Sequence, residues 1–178
     1  MKLAALRLRQ RDGVTCGPTV AVVAGALLDA DYLAALLGSE THGADEQARV
    51  HAEVNKIWPR RLGMTPRGLV RALNAYSAAE GVRYRWRRFR GRRDELSDVR
   101  SAVGSRWPVA MLVGRFIPRH WVLIVDADGQ ELLCYEPSSG EVRTVEVDAV
   151  RRARLTGLGY PRPFAFVLPR ESTRSATT

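Results

Sequence analysis

The sequence predicts an α+β fold, with helices first and an antiparallel sheet after them. Three observations carry this. Helix-spaced apolar residues with start and stop signals dominate up to Gly104. From Val109 onward, short apolar runs separated by turn residues replace them. The second half lacks the strand–helix alternation that a doubly wound parallel sheet needs. The 178 residues, 46% of them hydrophobic, suit one domain with a real core. That domain is expected over residues 1–170, with 171–178 as a flexible polar tail.

Residues 3–9 alternate loosely and could form a short strand. Thr15 to Leu28 reads as a helix, with Thr15 at the N-cap and Pro18 in the first turn, where a missing N–H costs nothing. It is apolar nearly all round, as a buried central helix should be. Tyr32 to Leu37 is a second short helix stopped by Gly38. Residues 39–48 are polar and read as a mobile loop, and Asp45 to Ile57 as helical up to Trp58-Pro59. Thr65-Pro66 starts another helix, with Leu69, Val70, Leu73 and Tyr76 as its apolar stripe and Gly81 as its end.

Val82, Tyr84 and Trp86 then alternate with Arg83, Arg85 and Arg87, a half-buried strand with a solvated arginine face. Asp94 to Val103 is a helix closed by Gly104. Strands follow at Val109–Val113, Trp121–Val125, Glu131–Tyr135, Val142–Val147 and Phe164–Leu168. Asp128-Gly129 and Ser138-Ser139-Gly140 supply turns in what reads as an antiparallel meander.

Lysine and arginine number 28 against 19 acidic residues, a net charge of +9. This favours an acidic partner, an acidic substrate or an anionic surface. Two cysteines, Cys16 and Cys134, exclude a disulfide framework. The N-terminus lacks the long apolar region of a signal peptide, and Val14 to Leu28 is too short to span a membrane. A cytoplasmic protein is expected. Two cysteines and three scattered histidines give no metal-ligand spacing. No Gly-rich phosphate loop is present, and no cofactor is expected.

Three clusters carry chemistry. In the first, running from Gln10 through Cys16-Gly17-Pro18, Cys16 opens a helix whose dipole stabilises a thiolate. Gly17 would let a substrate carbonyl approach the backbone, and a backbone N–H with the Gln10 amide could hold an oxyanion. In the second, His120 begins the apolar strand Trp121 to Val125. In the third, Glu136 ends the next strand, ahead of Pro137-Ser138-Ser139-Gly140.

Each alone has a plainer reading: an inert buried cysteine, a hydrogen-bonded core histidine, a turn-opening carboxylate. Together they supply nucleophile, base, orienting group and oxyanion donor in the order a papain-like site uses. His42 and His51 lie in or beside the polar loop and have no partner pattern. Cys134 sits in an apolar strand with no base placed for it, and is expected to be buried and structural.

These motifs resemble the double-glycine, bacteriocin-processing peptidases, a family of papain-like cysteine peptidases. The resemblance rests on Gln-x-x-x-x-x-Cys-Gly-Pro, a late His-Trp-Val-x-Ile-Val strand, and a strand ending in an acidic residue before Pro-x-x-Gly. It runs from about Gln10 to Val147. It implies a papain-like fold with the nucleophile on the central helix. It further implies Cys16 as nucleophile, His120 as general base and acid, Glu136 as orienting residue and Gln10 in the oxyanion hole. The family's usual orienting Asp is here Glu136, one methylene longer. Many members are fused to membrane transporters, and no stretch of this sequence reads as a membrane span.

Hairpin counting sharpens the expectation for Glu136. A three-residue loop, Ala127-Asp128-Gly129, would pair Asp126 with Gln130 and His120 directly with Glu136. A two-residue Asp128-Gly129 loop would pair His120 with Pro137 and turn Glu136 to the other face. The resemblance favours the first register.

The expected activity is cleavage of a peptide or isopeptide amide through a thioester, with a peptide or protein substrate. The same site could instead pass the acyl group to an amine. A reading from a different class is a non-catalytic module that binds an acidic partner or nucleic acid through the run Arg83 to Arg93, where seven arginines interleave with Tyr84, Trp86 and Phe89. Against nucleic acid stands the plainer reading of that run, a strand with one solvated face leading into a charged loop.

Overall fold

The computed structural model describes residues 15–38, 49 and 64–170. Gln10, His42, His51, the strand expected at 3–9, the loop at 39–48, the tail at 171–178 and all of the helix expected over Asp45 to Ile57 except the helical Arg49 lie outside the described residues.

Helix α1 (Cys16–Leu28) is the central element, buried from Cys16 through Ala26. Val20, Val22 and Val23 lie on different sides of it and are all fully buried, each contributing roughly 1.5–3 kcal/mol relative to exposure. Thr15 stands at its N-cap position without a side-chain capping hydrogen bond. Helix α2 (Ala30–Leu37) follows after Asp29 alone, whose carboxylate caps it by accepting from the Asp31 and Tyr32 N–H groups. That joint bends the path by 120°. Helix α3 (Pro66–Tyr76) starts as the sequence indicates, with Thr65 Oγ1 accepting from Gly68 N–H at 3.1 Å and Pro66 at its first position. It ends at Tyr76. Gly81 instead serves the following turn, at φ 67.

Six antiparallel strands form one sheet: β1 (Tyr84–Arg88), β2 (Val109–Gly114), β3 (Pro118–Asp128), β4 (Glu131–Glu136), β5 (Glu141–Glu146) and β6 (Arg162–Pro169). Their spatial order is β1-β6-β2-β3-β4-β5. Strands β2 to β5 are the expected meander. The last strand, however, returns to lie between β1 and β2, so the sheet as a whole is not one.

Helices cover both faces of the sheet. Trp121, Leu123, Tyr135, Ala110, Leu112, Ala165 and Val167 pack with α1 and α3 in one core. Val122, Ile124, Leu132, Cys134, Met111 and Phe166 form the other, with α4 (Ser97–Gly104) and a short α5 (Val147–Arg151) that the sequence reading lacked. The α+β class stands.

The arginine strand requires a correction. Tyr84 is buried as expected, but Trp86 is 37% exposed and Arg87 is buried. The face carrying Arg87 is covered by the chain that leads into α4 rather than open to water. A buried guanidinium must be paired. Arg87 Nη1 donates to Asp94 Oδ2 at 2.6 Å, Nε to Asp98 Oδ2 at 2.6 Å, and its carbon lies 4.8 Å from the centre of the Phe166 ring.

Among the described residues, no single helix is long and apolar enough to cross a membrane. The bent α1–α2 pair passes such a test only by length and composition.

Candidate active site

Three of the four residues singled out in the sequence come together where α1 meets the start of β3. Trp121, next to His120, donates from its indole Nε1 to the Met64 carbonyl at 2.8 Å. Met64 in turn packs on Gly17, where a Cβ would stand 2.5 Å from the Met64 Cβ. The absent side chain of Gly17 therefore makes room for Met64 rather than for a substrate carbonyl, which corrects the sequence reading. This packing seats the first turn of α1 against the strand and brings Cys16 close enough to the His120 imidazole to favour its charged form.

His120 Nε2 donates to Glu136 Oε1 at 2.7 Å. The ring's other nitrogen, Nδ1, is then the one left for Cys16. The Glu136 carboxylate also accepts from Ser138 N–H at 3.0 Å on Oε1 and from Ser139 N–H at 2.9 Å on Oε2. Burial pushes its pKa up, but the hydrogen bonds from His120, Ser138 and Ser139 outweigh that and hold it down to about 2. Burial likewise pushes the imidazole down, and the hydrogen bonds and charges of Cys16 and Glu136 overcome it, raising His120 to about 9.

Neither expected hairpin register occurs. Asp128 pairs with Glu131 across a two-residue Gly129-Gln130 loop, with Gly129 at φ 55. That register would put Glu136 on the face opposite His120. A β-bulge at Val125 restores parity: Asp126 pairs with Leu133, but Ile124 pairs with Cys134 and Leu123 with Tyr135. Extending the ladder places Glu136 opposite Val122, two residues along from His120 on the same face. His120 and Glu136 are thus diagonal neighbours, and the long glutamate spans the offset.

Sequence reasoning missed Tyr160, whose ring stacks on His120 with centroids 5.3 Å apart and planes inclined by 27°. Residues 148–161 carried no motif that would have marked it. It also missed the two backbone N–H groups that hold Glu136, although the Ser138-Ser139-Gly140 turn that presents them was legible. Cys134 is fully buried in β4, and burial pushes its thiol up to about 12. Among the described residues, no group of His, Cys, Asp or Glu is arranged to hold a metal ion.

Fold and site together define an α+β chain with a buried line of thiol, imidazole and carboxylate. No protein-family model and no curated protein matches the chain. Among solved structures it is similar to the peptidase domain of Streptococcus ComA, a bi-functional ABC transporter involved in a quorum-sensing pathway. The two share 16% identity over 91% of this chain and 95% of that one, with a TM-score of 0.46.

Proposed function

We propose that this chain is a cysteine peptidase that cleaves an amide through a thioester on Cys16. The observation that carries the proposal is the 2.7 Å hydrogen bond from His120 Nε2 to Glu136 Oε1, with Cys16 acting on the same imidazole from the helix end. His120 takes the thiol proton on Nδ1, and the thiolate attacks the scissile carbonyl. The imidazolium then protonates the leaving amine, which breaks the C–N bond. Water, deprotonated by the same imidazole, hydrolyses the thioester and restores the thiol. Glu136 fixes the ring orientation and stabilises the charged imidazole.

The oxyanion is assigned to the Cys16 backbone N–H, at the helix end where intrahelical acceptors are missing, and to the Gln10 amide. Gln10 takes its place from its spacing to Cys16 and the family resemblance. The net charge of +9 favours acidic substrates. Two free cysteines suit a reducing cytoplasm.

Alkylation by iodoacetamide near neutral pH tests the assignment. Cys16 should be modified and turnover lost together, with His120→Ala slowing the modification by about ten-fold or more. Modification of Cys134 instead, or full activity after Cys16 is blocked, would overturn it.

A further inference from the structure

The tip of the β2–β3 hairpin, beside His120, has an exposure that the fold does not need. Phe116 is 80% exposed and Ile117 54% exposed. The tip is nevertheless tightly built. Gly114 pairs with Pro118, and a Cβ at Gly114 would collide with the Ile117 carbonyl oxygen. An exposed pair of large apolar side chains flanked by arginines, with the Arg115 guanidinium carbon 5.9 Å from the centre of the Phe116 ring, offers an interaction site.

The tip adjoins the candidate site on two counts. Val113, immediately before it, is the cross-strand partner of His120. Arg115, at its base, also lines a cleft of about 500 Å³ with Gly159, Tyr160 and Pro161, and Tyr160 is the residue stacked on His120. The charged residues of the tip and of the cleft segment 159–163 are all arginine. Arg115 and Arg119 flank the apolar pair, and Arg162 stands opposite Gly114 on β6. No acidic residue occurs between 114 and 119 or between 159 and 163.

We propose that Arg115, Phe116 and Ile117, with Tyr160 and Pro161, form a substrate subsite that takes a polypeptide segment bearing a large apolar side chain next to a carboxylate. The apolar side chain packs on Phe116 and Ile117, and the carboxylate pairs with Arg115. This rests on the peptidase reading for its meaning, and names the substrate class of that same site.

Binding and cleavage are measured separately. The Cys16→Ala chain is titrated with short fluorescein-labelled peptides that differ only in a central pair, Leu-Asp, Leu-Lys, Ser-Asp or Ser-Lys, and anisotropy is followed. Leu-Asp should bind most tightly, about ten-fold or more over Ser-Lys. Phe116→Ser with Ile117→Ser should remove the leucine preference, and Arg115→Glu should turn the aspartate preference toward lysine. These side chains lie outside the core, and unchanged circular dichroism will confirm folding. Equal binding of the four peptides, or preferences untouched by the substitutions, overturns the subsite. If the preferences appear as expected but the native chain cleaves none of the peptides, the subsite stands and the peptidase reading falls.

Discussion

Glu136 Oε1 sits 2.7 Å from His120 Nε2 although the two residues are not cross-strand partners. The extra residue at Val125 brings them to one face, and the diagonal offset favours a side chain longer than aspartate. Glu136→Asp should therefore lose the hydrogen bond to His120 and lower kcat/KM by about ten-fold or more. Glu136→Gln keeps the reach and should be less damaging near neutral pH. Steady-state kinetics of both variants decides it, and an aspartate variant as active as the native chain would contradict the diagonal geometry.

The imidazole at about 9 makes a stability prediction with a definite sign. Raised from 6.5, His120 contributes stability that is complete below pH 6.5 and is lost as pH rises through about 9. Glu136, lowered from 4.5 to about 2, contributes stability that is present above pH 4.5 and is lost as pH falls through about 2. Urea midpoints should fall between pH 6.5 and 9 in the native chain. The fall should be shallower in Cys16→Ala, where the imidazole keeps Glu136 but loses the influence of Cys16. An equally steep fall in both proteins would show that Cys16 does not act on His120.

Arg87 bonds to both Asp94 and Asp98 in the face covered by the chain leading into α4. Arg87→Ala strands a carboxylate pair and should cost about 3–5 kcal/mol in urea unfolding. Arg87→Lys keeps the charge but not the fork, and should fall between. A loss under about 1 kcal/mol for the alanine variant would mean that the pair is effectively solvent-screened.

Gly17 packs on Met64, whose carbonyl holds the Trp121 indole. Gly17→Ala should push the 64 segment off α1, lowering the unfolding midpoint and turnover together. Lost turnover with an unchanged midpoint would return Gly17 to the substrate side of the helix.

The helices and strands were legible where local chemistry marks them: Thr65-Pro66 opening α3, apolar runs between turns for β2 to β6. So was the order Cys16, His120, Glu136, because each stands at the end of an element that the pattern delimits. The register was not legible. A bulge at Val125 carries no glycine or proline, and counting outward from a turn assumes an unbroken ladder. Nor could local alternation show that the chain entering α4 covers the Arg87 face, or that β6 inserts between β1 and β2, since both depend on contacts distant in sequence. Tyr160 reaches His120 for the same non-local reason.

Covalent chemistry at Cys16, driven by His120, is the centre of this account. Intact mass spectrometry of the native chain mixed with a peptide ester, quenched in acid, measures it most directly. The expected result is an acyl adduct that maps to the peptide containing Cys16, is absent in Cys16→Ala, and forms about a hundred-fold or more slowly in His120→Ala. An adduct on Cys134, an adduct that persists in Cys16→Ala, or no adduct while the ester is still turned over would contradict it.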